Sequence, residues 1–295
     1  DTELLIASEE VMVSVTKEGY IKRTSLRSYS ASKPTEIGIK EGDYPIYIQQ
    51  LNTLNHLLIF TSKGNIIYRP IHEISDLRWK DMGDHLSQNI AFETDETVVK
   101  VFGLEKQLPP ATFTFITKEG YIKQTAVSEY VIGRNYKNKS FSAIKHKTTT
   151  DELLNIVYTE KPLSKDVFLV TNRGFGLRYP LDEVPTVGAK AAGVKSINLK
   201  DGDYVVNGVL VDTTASKAEL MILTQRGSVK KMNILDFEPL GRAKRGLLLL
   251  RELKKNPHRV AFAFEASKED NYRILTSKGQ EISLSSQSYS ISDRY

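Results

Sequence analysis

The chain has no cysteine among its 295 residues, which excludes disulfides, thiolate nucleophiles and cysteine-ligated zinc. Histidine is scarce, at five residues, and no two stand at metal-ligand spacing. Tryptophan occurs once. No apolar run approaches the roughly 18 residues a membrane-spanning helix needs. The blockiest stretch, 247–250, is only LLLL and lies between Arg245 and Arg251. The opening segment, DTELLIASEE, has neither the basic head nor the apolar core of a secretion signal. It also lacks an initiator methionine, so the expectation is a piece of a longer protein that stays in the cytoplasm. Apolar residues make up 40% and charged residues 26%, enough to bury a core and too apolar for a disordered chain. The net charge of +5 is modest, so its placement matters more than its size.

A short pattern recurs six times: an apolar or β-branched run, Thr, two residues, Gly, then a second extended run. It reads VSVTKEGYIKRTSL at 13–26, LIFTSKGNIIYRPI at 58–71 and TFITKEGYIKQTAV at 114–127. It returns as FLVTNRGFGLRYPL at 168–181, MILTQRGSVKKMNI at 221–234 and RILTSKGQEISLSS at 273–286. The threonines, 16, 61, 117, 171, 224 and 276, are 45 to 56 residues apart. Both arms favour strands, so each copy is read as a β-hairpin. Gly19, Gly64, Gly120, Gly174, Gly227 and Gly279 are read as turn residues only, each supplying a positive φ. About 50 residues suffice for four short strands, and radial repetition of such units gives a propeller. The expectation is a single all-β domain over 1–295. Its blades fall at about 7–50, 51–106, 107–160, 161–213, 214–264 and 265–295. The last is short of a strand, which residues 1–6 are expected to supply, removing an open sheet edge.

Every turn carries a cation: Lys17, Lys63, Lys118, Arg173, Arg226 and Lys278. Outgoing strands add Lys22, Arg23, Arg69, Lys123, Arg178, Lys230 and Lys231. Repetition predicts a basic rim that binds a polyanion; the plainer reading is that such cations guard exposed turns and edges. Charge is uneven along the chain. Segment 220–260 holds ten basic and three acidic residues, 113–147 seven and two, and 76–96 two and six. Two basic, Gly-containing loops stand out, GRNYKNKS at 133–140 and GRAKRG at 241–246, and both suit phosphate contact. No motif that enters a groove is present, and aromatics are not interleaved with the basic clusters. Binding of duplex DNA through its backbone, independent of sequence and steeply salt-dependent, is therefore predicted. The expected phosphate contacts are Lys22, Arg23, Lys123, Arg134, Lys137, Lys139, Lys230, Lys231, Arg242, Lys244 and Arg245.

The hairpin repeats, ITKEGYIKQTAVSEY at 116–130 among them, resemble the C-terminal domain of bacterial type IIA topoisomerase A subunits over essentially the whole chain. The resemblance implies a six-bladed β-pinwheel whose blades exchange strands with their neighbours. Gyrase A subunits carry a QRRGGKG-type box in the first blade. Here 25–43 reads SLRSYSASKPTEIGIKEGD, without that box, and GRAKRG falls in the fifth unit. The departure points to the ParC-type subunit of topoisomerase IV, of streptococcus-like style, rather than to gyrase. That subunit is expected to work as a dimer with two ParE-type ATPase subunits on nucleoid DNA, in decatenation and supercoil relaxation. The catalytic tyrosine would lie in a domain absent from this chain, so no catalytic residue, metal or cofactor is assigned here; ATP and Mg2+ would act elsewhere in the enzyme.

Other readings weigh less. GAKAAGVKS at 188–196 misses the phosphate-binding loop pattern, because Val194 separates the second Gly from Lys195. Asp201-Gly-Asp203 is read as turn chemistry rather than a metal pair. His146 is read as a surface residue, and Trp79 as partly buried between Arg78 and Lys80. The competing function is a protein-interaction propeller whose charges serve only solubility.

Overall fold

The structure, a computed structural model, describes residues 5–130, 132, 134–160, 164–251 and 253–266, with the backbone alone of 271–275 and 281–285. The chain divides into two compact units. One is Asp1–Ala111 with Val127–His146 and Gly188–Ala191; the other is Thr112–Ala126 with Lys147–Val187 and Ala192–Tyr295.

The first unit holds β1 (Glu10–Thr16), β2 (Tyr20–Ser25), a short helix α1 (Leu26–Ser30), β3 (Pro45–Asn52), β4 (His56–Thr61), β5 (Asn65–Pro70), β6 (Asp84–His85) and β7 (Val98–Leu104). Next come β8 (Ala111–Thr117), β9 (Tyr121–Ala126), β10 (Phe141–Ser142), β11 (Leu153–Glu160), β12 (Lys165–Thr171), β13 (Phe175–Pro180), β14 (Val194–Lys195) and β15 (Val205–Asp212). The remainder are β16 (Glu219–Thr224), β17 (Val229–Asn233), β18 (Leu247–Leu248), β19 (Val260–Glu265), β20 (Asn271–Leu275) and β21 (Glu281–Ser285).

Four sheets have four strands, in the orders β3-β1-β2-β6, β10-β5-β4-β7, β11-β8-β9-β14 and β15-β12-β13-β18. In each, a hairpin and the following strand of one repeat are completed by a two-residue strand from the next repeat. Thus His85 pairs with Tyr20, Phe141 with Ile66, Val194 with Ile122 and Leu248 with Phe175. The fifth sheet is β17-β16-β19, and β20 pairs with β21. Strand exchange therefore joins each of these repeats to its successor. Gly279, in the expected sixth turn, and most of the closing strand expected at 1–6 lie outside the described residues.

The hairpins follow from their sequence. In β4, Leu57, Leu58, Ile59, Phe60 and Thr61 are all buried, which suits a strand covered on both faces. The turn glycines take φ of +102° at Gly19, +80° at Gly64, +91° at Gly120, +93° at Gly174 and +83° at Gly227. Each donates its N–H to the threonine carbonyl, at 3.0–3.1 Å. The threonine hydroxyl in turn accepts the N–H of the residue after the glycine, as from Tyr20 to Thr16 at 3.0 Å and Phe175 to Thr171 at 3.1 Å. Four pairings also break register at the threonine, at Thr16, Thr61, Thr171 and Thr224. So Thr is fixed by the bulge and the hydroxyl bond, and Gly by the positive φ.

The expectation that these glycines serve the turn alone needs correction at four of them. A Cβ on Gly64 would come within 2.7 Å of Ile144 O, one on Gly120 within 3.1 Å of Ile197 Cγ2, one on Gly174 within 3.2 Å of Leu250 Cβ, and one on Gly19 within 3.3 Å of His85 Nε2. The crowding atoms all belong to the segment that the next repeat lays beside the hairpin. Gly19, Gly64, Gly120 and Gly174 therefore also make room for the exchanged segment, a demand invisible in a hairpin read by itself.

A second clasp holds three turns. Asp43, Asp151 and Asp203 each use Oδ1 to accept two N–H groups. Asp203, for example, takes those of Arg173 and Tyr204, both at 2.9 Å. The reading of Asp201-Gly-Asp203 as turn chemistry fits this geometry. Asp43 and Asp151 play the same part, which the sequence reading missed because neither stands in the same string.

Candidate nucleic-acid interface

The strand cations are not where the repeat pattern placed them. Lys22 is 1% exposed, Lys123 0% and Lys231 7%. The Lys22 ammonium donates to the carbonyls of Trp79, at 2.6 Å, and Asp81, and sits 4.9 Å from the Trp79 ring centre. That of Lys123 lies 5.0 Å from the Phe115 ring centre, and Lys231 pairs with Glu219 at 2.9 Å. Burial pulls the ammonium pKa of both Lys22 and Lys123 down to about 8; Asp81 opposes the shift at Lys22. Three expected phosphate contacts are therefore interior groups. For Lys22 and Lys123 the cause is strand exchange, because the next repeat adds a strand beside β2 and β9. Lys231, on a strand with no such addition among the described residues, is buried against Glu219 instead.

Arg23 and Lys230 are half-buried and committed to main-chain carbonyls. Arg23 Nε donates to Ile74 O at 2.7 Å, and Lys230 Nζ to Leu249 O at 2.9 Å. The position of Arg23, seven residues after the turn threonine, has a common task. Gln124 Nε2 donates to Val184 O at 2.9 Å and Leu181 O at 3.2 Å, and Arg178 NH1 to Phe237 O at 2.5 Å. In each case the acceptor lies in or beside the 3-10 turn of the next repeat: Ile71–Glu73, Leu181–Glu183 or Ile234–Asp236. These side chains stitch successive repeats together. The sequence signal was a fixed offset shared by Arg and Gln, and reading charge alone hid it.

The turn cations are also engaged. Lys17 lies over Tyr44 and Lys118 over Tyr204. Lys63 bridges to Asp95 at 2.7 Å, Arg173 donates to Asp201 O at 2.8 Å and Arg226 to Asn256 O at 3.3 Å. Lys278 lies outside the described residues.

The two basic loops hold the exposed members of the expected phosphate contacts, although Lys137 pairs with Glu73 at 3.6 Å, Lys139 lies over Phe141 and Arg245 Nε donates to Asn198 O at 3.3 Å. Arg134, Lys137 and Lys139 are exposed, as are Lys244 and Arg245. In the first unit, Arg69 NH1 donates to Tyr136 O at 3.0 Å, and the Tyr136 hydroxyl donates to the Glu73 carboxylate at 2.7 Å. The Tyr136 ring meets the Tyr68 ring edge-on at 5.0 Å. Desolvation and Glu73 together raise the Tyr136 pKa, so its hydroxyl keeps the donated proton. In the second unit, loop 241–246 lies against β13 and β14. Leu240 N–H donates to Arg178 O at 2.7 Å and Ala243 N–H to Ser196 O at 2.8 Å. Asn198 N–H donates to Lys244 O at 2.9 Å. Arg242 donates its main-chain N–H to Glu183 Oε1 at 3.0 Å, and its guanidinium to Glu183 O at 3.0 Å and Lys195 O at 2.8 Å. Ala243 holds φ of +67°, unusual for a residue with a side chain, and these bonds fix it. Arg242 is thus spent on shaping the loop, whereas Lys244 and Arg245 are exposed on it, with Arg245 Nε also donating to Asn198 O at 3.3 Å.

The remaining motifs carry little. Segment 188–196 runs into β14, so no helix opens after it to receive a phosphate. His146 Nε2 meets Ser62 O at 3.1 Å. Trp79, expected to be partly buried, is fully buried: its indole N–H donates to Pro34 O at 3.1 Å and Tyr29 meets it edge-on at 4.9 Å. Among the described residues no group of three or more His, Asp or Glu could hold a metal, and no helix is long and apolar enough to cross a membrane.

The family model of the DNA gyrase C-terminal domain, beta-propeller, matches residues 10–40, 55–103, 113–135, 165–212 and 218–267. The chain belongs to this family. Its repeats are propeller blades, and its fold is the all-β pinwheel. The A subunit of DNA topoisomerase 4 from Bacillus subtilis is 43% identical over 99% of this chain and 35% of its own length. The Streptococcus pneumoniae protein of the same name is 47% identical over 89% and 31%. The chain spans about a third of these relatives. A solved C-terminal domain of DNA topoisomerase IV superposes with a TM-score of 0.88 at 40% identity, covering 98% of this chain and 88% of that one. A gyrase A C-terminal domain shares the fold alone, with a TM-score of 0.63 at 19% identity over 93% and 89%.

Proposed function

We propose that this chain is the DNA-binding part of the A subunit of a topoisomerase IV, and that it holds duplex DNA by its phosphates without reading bases. One observation carries the reading: two loops, 134–140 and 241–246, present Arg134, Lys137, Lys139, Lys244 and Arg245 to solvent on hydrogen-bonded frames, while Lys22, Lys123 and Lys231 are interior. Cations on pre-shaped loops meet a phosphate with little further ordering cost. The similarity to topoisomerase 4 A subunits supports the larger picture. In it the chain guides DNA segments for decatenation and relaxation, within a dimer joined by two ParE-type ATPase subunits. ATP, Mg2+ and the catalytic tyrosine act in other parts of that enzyme, and the assembly works on the nucleoid in the cytoplasm.

The test is fluorescence anisotropy of the chain with labelled duplexes of two unrelated sequences over a salt series. Equal affinity for both is expected, with log K falling against log salt by about 0.9 per phosphate neutralised. Absence of binding at low salt would overturn the reading in favour of a protein-interaction propeller. A large preference for one sequence would overturn the backbone-contact mechanism.

A further inference from the structure

The two exposed basic loops, in different compact units, are anchored by the same kind of residue. Glu73 ends the 3-10 turn Ile71–Glu73, and Glu183 ends the 3-10 turn Leu181–Glu183. Each carboxylate reaches into the basic loop of the following repeat. Glu73 accepts the Tyr136 hydroxyl at 2.7 Å and pairs with Lys137 at 3.6 Å. Glu183 Oε1 accepts the Arg242 main-chain N–H at 3.0 Å, and its carbonyl accepts the Arg242 guanidinium at 3.0 Å.

An acid beside a phosphate-binding loop is unfavourable by charge alone, because it repels the ligand. Its presence in both loops calls for a compensating gain, and the bonds show what that is. At 241–246 the carboxylate holds the N–H next to Ala243, whose positive φ sets the direction in which Lys244 and Arg245 leave the loop. At 134–140 the Glu73–Tyr136 bond holds the loop between Arg134 and Lys139.

We propose that Glu73 and Glu183 are positioning residues for phosphate binding: acids that strengthen the binding of a polyanion by fixing the loops that contact it. This rests on the phosphate-binding reading above. The carboxylate's value lies in its acceptor oxygen, and its charge is a cost.

The two contributions have opposite signs, which makes them separable. In Glu183→Gln an acceptor oxygen stays and the charge goes; in Glu183→Ala both go. Charge alone makes both variants bind duplex more tightly, and by similar factors. Positioning makes E183Q bind as well as the parent or up to a few-fold more tightly, while E183A binds about 3- to 10-fold more weakly despite its extra net positive charge. The salt slope of E183A should also fall by about one phosphate, since Lys244 and Arg245 no longer converge. Glu73→Gln and Glu73→Ala should repeat the contrast.

The measurement is duplex anisotropy on the 295-residue chain, with emission of the single tryptophan, Trp79, confirming a folded protein. A cycle with Lys244→Ala/Arg245→Ala separates positioning from general loosening of the fold. When those cations are gone, removing Glu183 should cost no further affinity; a purely structural loss would persist. Tighter binding by E183A, or a loss that persists in the cycle, overturns the inference while leaving phosphate binding by the parent intact. If the parent fails to bind duplex, both the inference and the reading beneath it fall.

Discussion

At the scale of single residues, the buried lysines turn charge into packing. Lys22 and Lys123 lie over aromatic rings, and the Lys22 ammonium donates its protons to the carbonyls of Trp79 and Asp81. Both hold a pKa of about 8 against the usual 10.5. Below pH 8 the folded and unfolded chains both carry these protons, and the folded chain bears the cost of burying the charge. Between about 8 and 10.5 the folded chain has released them and the unfolded chain has not, so stability rises with pH across that window. Each lysine adds at most about 1.4 kcal/mol per pH unit. Urea unfolding of the parent and of Lys123→Met from pH 8 to about 9.5 checks this. The parent's midpoint should climb with pH and that of K123M should climb less; equal slopes would contradict the assignment.

At the scale of elements, the Thr-x-x-Gly turn and the exchanged strand together specify the repeat. The turn was legible in the sequence because its needs are local: a positive φ at the glycine, and a residue that bulges and accepts a bond at the threonine. Gly174 and Gly227 separate two components of that need. Both have positive φ, but a Cβ at Gly174 would come within 3.2 Å of Leu250, whereas at Gly227 nothing lies within 4 Å. Alanine at either should cost about 1 kcal/mol or more through backbone strain. Thermal unfolding should show G174A losing more than G227A, and the reverse order would contradict the turn geometry. The exchanged strands were expected from family resemblance and could not be read from β6, β10, β14 or β18, each of two residues. A two-residue strand has no period to detect. The consequence reached the site: without knowing that β9 has β14 beside it, Lys123 reads as a rim cation. The basic loops, in contrast, were legible as GRNYKNKS and GRAKRG, because glycine with clustered cations needs no long-range partner to stand out. Their anchors, Glu73 and Glu183, were not, since each lies some 60 residues from the loop it holds.

At the scale of the whole molecule, the +5 net charge understates the asymmetry that matters. Among the described residues, the cations expected to contact phosphate divide into interior, stitching and loop-borne groups, and of these the exposed ones are Arg134, Lys137, Lys139, Lys244 and Arg245 on the two loops. Two compact units each carry one such loop, so phosphate contact is expected from both. The most direct test compares salt slopes for duplex binding by the parent, Lys244→Ala/Arg245→Ala and Lys123→Met at equal temperature and pH. The double loop variant should lose about two phosphates from the slope and bind more weakly to every sequence, while the folded K123M should keep the parent slope. A normal slope in the loop variant, or a slope reduced by about one in K123M, would contradict the claim that the loops rather than the strand lysines carry the DNA.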